Sequence, residues 1–163
     1  MDILIKAVTE QHLDALFHLK NNPAVLKNIP GDYPLVQSAF NDKIKKIIEV
    51  GHTNNQGSFI IYADQEIIGM IGYFKREDND SLEVGYYLSE SWWGKGIATK
   101  ALMLLLTQMT RAGVSGNVYA CHAAENLASG YVLQKAGFSR DGEVEFKFDD
   151  GTSVMDPQWV IQI

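Results

Sequence analysis

Apolar and polar residues alternate at recognisable spacings and divide the N-terminal third of the chain into three elements. A strand is predicted over residues 2–8, and Thr9 is a suitable N-cap for a helix that follows it. Asn21-Asn-Pro23 interrupts this pattern. A second helix is predicted over about 34–50, because its apolar residues recur at helical spacing and Gly51 can end it.

The middle of the chain shows the pattern of consecutive antiparallel strands. Residues 58–63 and 67–74 are rich in β-formers and flank a tight turn at Asp64-Gln65, which predicts a hairpin. A polar loop at 76–81 then leads to a strand at 82–88. Together these three strands form an antiparallel meander.

The C-terminal half mixes helices with strands. A helix from Gly96 to about Arg111 is apolar on nearly every side and should be buried on more than one face. A strand at 116–122 and a helix at 126–136 follow, and two final strands flank the turn Asp149-Asp-Gly151. The order β-α-α-β-β-β-α-β-α-β-β predicts an α+β protein with a mixed sheet rather than a doubly wound parallel one.

Composition indicates a cytoplasmic globular protein with a single domain, residues 1–163. The apolar fraction is 46% and the charged fraction 21%, and neither a secretory signal nor a membrane-spanning run is evident. A single cysteine, Cys121, excludes an internal disulfide and a cysteine-based zinc cluster, and its expected role is that of a small buried hydrophobe. The net charge of −6 argues against nucleic-acid binding and slightly favours cationic ligands.

A glycine-containing loop lies between the strand at 82–88 and the long helix, in the segment Trp92-Trp-Gly-Lys-Gly-Ile-Ala98. Its backbone N–H groups would gather at the positive end of the helix dipole, where phosphates bind. The alternative is a turn that uses glycine only for flexibility. The dinucleotide fingerprint does not fit, because Thr99 stands where a third glycine is needed, and no P-loop is present.

Two motifs in this order carry a family resemblance. Trp93-Gly-Lys-Gly-Ile-Ala98 resembles the acetyl-CoA signature Gln/Arg-x-x-Gly-x-Gly/Ala of the Gcn5-related N-acetyltransferase (GNAT) superfamily. Trp93 replaces the usual Gln or Arg, as is common in the branch that acetylates ribosomal-protein N-termini. Asn126-Leu-Ala-Ser129 followed by Leu133-Gln-Lys-Ala-Gly-Phe138 resembles a second motif of that branch. With the element order, the resemblance covers nearly the whole chain.

The resemblance implies acetyl-CoA as cosubstrate and a mostly antiparallel central sheet with splayed middle strands and helices on both faces. Loop N–H groups would hold the pyrophosphate, with Lys95 or Lys100 as an added charge, and an N–H near Leu88 would polarise the thioester carbonyl. Asn126 would contact the coenzyme, or serve only as a helix N-cap. The expected cofactor contacts are Tyr86, Tyr87, Leu88, Trp93, Gly94, Lys95, Gly96, Ile97, Ala98, Thr99, Asn126 and Ser129.

Proton transfer has three candidate residues. By the resemblance, Ser129 protonates the departing thiolate, although a helix serine commonly bonds a carbonyl one turn back. The tyrosine that many relatives use is replaced by Leu133, and Tyr131 is out of phase with that position. Glu83 is the first candidate base and His122 the second, with a surface carboxylate and a structural histidine as the alternatives.

The expected reaction is direct attack of a primary amine on acetyl-CoA in a ternary complex, without a metal. The resemblance points first to a peptide or protein N-terminal amine, with the acceptor lined by the first two helices and the 21–34 connection. A polyamine, aminoglycoside or amino-acid derivative is the alternative acceptor, and a non-catalytic acyl-CoA-binding module is the alternative function. No nucleic-acid or membrane partner is expected, and a homodimer is left open.

Overall fold

A computed structural model of the protein describes residues 1–29 and 33–163 and shows a seven-stranded sheet in the order β1-β2-β3-β4-β5-β7-β6. The strands are β1 (Ile3–Ala7), β2 (Gln56–Ala63), β3 (Glu66–Lys75), β4 (Leu82–Leu88), β5 (Asn117–Cys121), β6 (Ser139–Lys147) and β7 (Ser153–Gln162). The helices are α1 (Leu13–Lys20), α2 (Pro23–Leu26), α3 (Gln37–Val50), α4 (Ile97–Arg111) and α5 (Leu127–Lys135).

The sheet is mostly antiparallel, with one parallel contact at its centre. Strands β1 to β4 form the predicted meander, and β5, β7 and β6 pair antiparallel on the other side. Between these halves, β4 and β5 run parallel and pair only at Leu82–Val118 and Glu83–Tyr119. Beyond Glu83 the two strands diverge, so a gap opens in the middle of the sheet. The predicted fold class is confirmed.

Two apolar cores cover the two faces of the sheet. Helices α4 and α5 pack on one face, where Leu102, Leu105 and Leu133 lie against strand residues such as Val84 and Leu88. Helices α1 and α3 pack on the other, through Leu16, Phe17, Phe40 and Ile44. Within the described ranges, no helix combines the length and the apolarity needed to cross a bilayer.

Three local expectations differ from the structure. The second predicted helix begins at Gln37 rather than 34, and the break at Asn21–Pro23 contains the start of an additional short helix, α2. Thr9 precedes a 3-10 turn before α1, with its N–H donating to His12 Nδ1 at 2.9 Å. Residues 30–32 of the expected acceptor-lining connection lie outside the described residues. Helix α4, which was expected to be buried on more than one face, buries Leu102 and Leu105 and exposes Met103.

Strands β3 and β4 approach each other closely at Gly69, because glycine has no side chain. A Cβ added at Gly69 would lie 2.2 Å from the Tyr87 carbonyl oxygen, which is backbone and has little freedom to move. At Gly85 on β4, by contrast, the nearest atom to an added Cβ is 3.8 Å away. Gly69 therefore sets the spacing of the strand that borders the gap.

We predict that Gly69→Ala destabilises the protein by about 1–3 kcal/mol, since overpacking against backbone forces the strands apart. Gly85→Ala is the matched control and should change the free energy of unfolding by less than about 0.5 kcal/mol. Urea unfolding of both variants measures the difference. Equal losses in the two variants would contradict the proposed role of Gly69.

Candidate active site

The divergence of β4 from β5 exposes backbone groups of β4 on one side only. Ser89 N–H donates to Ile68 C=O at 2.8 Å, so the pair Gly69–Leu88 is one that exchanges no hydrogen bonds. Hydrogen-bonded and non-hydrogen-bonded pairs alternate along two antiparallel strands. The backbone groups of Leu88 and Tyr86 therefore point away from β3 and into the gap, whereas those of Tyr87 point to β3. Of the three residues expected to pair with pantetheine, two present their backbone to the gap.

Trp93 has a structural role that the motif did not reveal. Its indole Nε1–H donates to the Leu88 carbonyl oxygen at 3.0 Å, so the loop after β4 folds back onto the end of that strand. The Leu88 carbonyl is thereby satisfied, while its N–H still points into the gap. Trp93 is 40% exposed and borders a cavity. A donor aimed into the gap is the arrangement that polarises a carbonyl.

The glycine loop has the conformation of an anion cradle. Gly94 and Gly96 have φ of 73° and 74°, and a Cβ added at either would meet nothing within 4 Å. Lys100 N–H donates to Gly96 C=O at 3.3 Å and begins the helical bonding of α4, so the N–H groups before it lack helical acceptors. The Lys95 ammonium lies 4.6 Å from the centroid of the Trp92 ring, beside this cradle. These residues fit a diphosphate.

Asn126 and Ser129 are joined at the start of α5. The Asn126 side-chain oxygen accepts from Ser129 N–H at 3.4 Å, and its Nδ2 donates to Ser129 Oγ at 3.0 Å. Asn126 is therefore the N-cap of α5 and also orients the serine hydroxyl. Among the described residues, Ser129 Oγ makes no hydrogen bond to a carbonyl one turn back.

Glu83 is held by partners on both carboxylate oxygens. Arg76 Nε lies 2.5 Å from Oε2, with the two side chains only 10% and 15% exposed, and the Cys121 thiol donates to Oε1 at 2.9 Å. Arg76 Nη1 also donates to Gln158 Oε1 at 2.9 Å. Each oxygen keeps a second lone-pair position, but taking up a proton would weaken the ion pair with Arg76. Its catalytic role stays a prediction.

His122 is likewise engaged at both ring nitrogens. The Trp159 indole, which can only donate, lies 3.0 Å from Nε2, so Nε2 accepts and the ring proton sits on Nδ1. Nδ1 in turn lies 2.8 Å from the Ala123 carbonyl oxygen. This neutral imidazole has no lone pair left for a substrate proton. The role of His122 as a base stays a prediction.

The unpredicted helix α2 lies across the mouth of the gap. A cavity of about 350 Å³ is lined by Ala24 and Lys27 on one side and by Trp93 and Asn126 on the other. The sequence does contain a signal for α2, since Asn22 caps it by accepting from Ala24 N–H at 2.9 Å and Pro23 occupies its first position. Ala24, Lys27 and Asn28 line this cavity, and the role of the region in holding an acceptor stays a prediction.

Comparisons with known proteins agree with this geometry. The model of the family described as acetyltransferase (GNAT) domain matches residues 2–139. The ribosomal-protein-serine acetyltransferase of Escherichia coli (strain K12) is 27% identical over 144 residues, which cover 85% of this chain and 79% of that protein.

Two solved structures share the fold at low identity. One is RimL, a ribosomal L7/L12 alpha-N-protein acetyltransferase in complex with coenzyme A, at a TM-score of 0.83 and 23% identity over 99% of this chain and 94% of that one. The other is the aminoglycoside acetyltransferase AAC(6′)-Ib in complex with coenzyme A, at a TM-score of 0.78 and 20% identity over 99% and 95%.

We predict that Gly96→Asp weakens coenzyme A binding at least tenfold, because the substitution strains a positive φ and places a negative charge where phosphates would sit. Gly113→Asp is the matched control. Gly113 follows the other end of α4, has φ of 84° and also has open space around an added Cβ. Calorimetric titration with coenzyme A should separate the two variants, and equal affinities would remove the loop from the binding site.

We predict that Cys121 resists alkylation. Burial, followed by the adjacent Glu83 carboxylate, raises the pKa of its thiol to about 12, so the reactive thiolate is scarce at pH 8. Reaction with iodoacetamide, measured by intact mass, should be roughly a thousandfold slower than for a free thiol of pKa about 8.5. Glu83→Gln should accelerate it by removing the negative charge. Rapid alkylation of the wild type would contradict the observed contact.

Proposed function

The chain belongs to the acetyltransferase (GNAT) family and is an acetyl-CoA-dependent N-acetyltransferase, and we propose that its acceptor is the α-amine of a peptide or protein N-terminus. The observation that carries the proposal is the hydrogen bonding of the two candidate bases. The Glu83 carboxylate and the His122 imidazole both have their acceptor atoms engaged within the protein. An acceptor that needs little help with deprotonation suits such a site.

The ordinary pKa values of amines decide between acceptors. An N-terminal α-amine has a pKa of about 8, so roughly a quarter of it is neutral at pH 7.5. A lysine side chain, with a pKa of about 10.4, is neutral in only about one molecule in a thousand. A site that contributes little to deprotonation therefore favours the α-amine by a factor of hundreds. The similarity to a ribosomal-protein-serine acetyltransferase supports the same choice.

In the proposed reaction, the protein contributes mainly position and polarisation. The N–H groups of residues 94–99 hold the diphosphate, the backbone of Tyr86 and Leu88 aligns the extended arm, and the Leu88 N–H polarises the thioester carbonyl. The amine attacks directly, and Ser129 supplies a proton to the leaving sulfur. The proposed location is the cytoplasm, as the single cysteine suggests.

The second candidate acceptor is a small cationic amine. The net charge of −6 favours such ligands, and an aminoglycoside acetyltransferase shares the fold. Because one fold serves many acceptors, a shared fold does not by itself identify the substrate.

We predict that peptides with a free N-terminus are acetylated at least tenfold more efficiently, in kcat/KM, than the same peptides with a blocked N-terminus and an internal lysine. Release of the coenzyme thiol at pH 7.5 measures the difference, with a polyamine and an aminoglycoside as parallel acceptors. Preference for the aminoglycoside would establish the second candidate. Preference for lysine would contradict the pKa argument.

The pH dependence provides the control for this interpretation. If the acceptor enters as the neutral amine, kcat/KM rises with pH through the pKa of that amine and then levels. Under this proposal the same midpoint is expected in Glu83→Gln, because the ionisation of the acceptor amine alone sets it. A midpoint that moves with the substitution would instead assign Glu83 as the base.

A further inference from the structure

A buried ion pair lies at the point where β4 and β5 separate. Arg76, which follows β3, has its Nε 2.5 Å from Glu83 Oε2, and the two side chains are only 10% and 15% exposed. Glu83 belongs to the last backbone pair between the two strands, Glu83–Tyr119. The guanidinium also lies over the Tyr119 ring, with its carbon 5.2 Å from the ring centroid. Arg76 therefore contacts both members of that last pair.

Side chains continue the connection past the end of the backbone pairing. Cys121 lies beyond Tyr119 on β5, and its thiol donates to Glu83 Oε1 at 2.9 Å. In the other direction, Arg76 Nη1 donates to Gln158 Oε1 on β7 at 2.9 Å. One guanidinium and one carboxylate thus link β4 to β5 and to β7, across the line where the sheet divides. We call the four residues Arg76, Glu83, Cys121 and Gln158 the clamp.

The clamp lies on the face of the sheet where apolar packing does not cross the gap. Val84 and Val118 both belong to the core beneath α4 and α5, so that core joins the two halves of the sheet. Glu83 precedes Val84 and points to the opposite face. Within the described residues, the core on that face includes strand residues of β2, β3 and β4 and none of β5, β6 or β7. The clamp therefore holds β4 to β5 where this core does not reach.

The chemistry of the clamp suits positioning better than stability. A buried ion pair contributes little net stability compared with apolar residues of similar volume, although the loss of one partner is costly. Arg76 Nη2 is buried and has no hydrogen-bond partner among the described residues, which adds to the cost of burying the guanidinium. What the planar guanidinium provides is direction, because its bonds at Nε and Nη1 fix where both partners lie.

A small change at the clamp is amplified along the strand. Leu88, whose N–H points into the gap, lies beyond Glu83 by about 17 Å at the rise of an extended strand. A tilt of about 5° between β4 and β5 at the clamp would therefore move Leu88 by about 1.5 Å relative to β5. A misplacement of about 1 Å can lower the rate of a reaction about a hundredfold.

We propose that Arg76 is a positioning residue that fixes the width of the gap, and that this width restricts the donor to thioesters of small acyl groups. The proposal rests on the proposed binding of the coenzyme in the gap, but not on the identity of the acceptor. Without the fork of Arg76, β4 and β5 would separate further. The wider gap would align acetyl-CoA less well and would admit a longer acyl chain.

The test compares two changes within the clamp with one matched change outside it. Arg76→Lys keeps the charge, but a single ammonium cannot reproduce the two directed bonds. Gln158→Met removes the bond to β7 and leaves the ion pair with Glu83 in place. Lys75→Met is the control, because Lys75 adjoins Arg76 and its exposed ion pair with Asp80, at 3.2 Å, stays within the connection between β3 and β4.

The deciding measurement is the ratio of kcat/KM for butyryl-CoA to kcat/KM for acetyl-CoA, with one acceptor amine and one preparation of each variant. Unfolded protein lowers both values equally and cancels from the ratio, so a loss of stability does not change it. We expect the ratio to rise about tenfold in Arg76→Lys and about threefold in Gln158→Met, since the fit of one methylene is worth about tenfold or more. Lys75→Met should keep the ratio of the wild type.

A second measurement needs no acceptor. Calorimetric titration with acetyl-CoA and with butyryl-CoA gives the ratio of the two dissociation constants for each variant. The wild type should bind acetyl-CoA more tightly, and Arg76→Lys should shift the preference towards butyryl-CoA. The control should bind both thioesters as the wild type does.

An unchanged preference in Arg76→Lys, in turnover and in binding, would overturn the proposal, and so would an equal shift in Lys75→Met. If Arg76→Lys does not fold, Gln158→Met decides by the same two ratios. The acceptor proposal fails differently, through turnover that prefers another amine while the acyl preferences still differ between the variants. Failure of the wild type to bind either thioester would reject both proposals.

Discussion

The site depends on one feature of the sheet, the separation of two parallel strands after only two paired positions. β4 and β5 meet at Leu82–Val118 and Glu83–Tyr119 and then diverge. Unpaired backbone groups are normally costly inside a protein, so a strand edge exposed within a sheet is a place for an extended ligand to bind. The glycine loop, the Trp93 bond to Leu88 and the start of α5 are all arranged around that edge.

Around the gap, the groups that could transfer protons are mostly paired with one another. Arg76, Glu83 and Cys121 form one connected set, and His122 forms another with Trp159. Such pairing fixes side-chain positions but leaves little free basicity. Under the proposed function, the chemistry depends on the geometry of backbone donors and on the ionisation of the acceptor itself.

Much of the fold followed from local pattern. The hydrophobic period and the turn residues correctly predict three parts of the fold, because those signals are local. They are the meander, helices α4 and α5, and the hairpin around Gly151. Helix α2 was missed because four residues are too few to show periodicity, although Asn22 and Pro23 mark its start. The place of β7 between β5 and β6 is a non-local pairing, which spacing along the chain does not encode.

By itself the sequence determined the class of fold and the family, and it located the glycine loop before α4, because glycines and a helix start are needed locally whatever surrounds them. The tertiary structure decided which chemical groups remain free. Glu83, His122 and Trp93 stand out in the sequence as polar or aromatic residues near a motif, but their partners come from strands and loops elsewhere in the chain. Hydrogen bonds between residues distant in sequence set the protonation and orientation of a side chain, and these exist only once the sheet has formed.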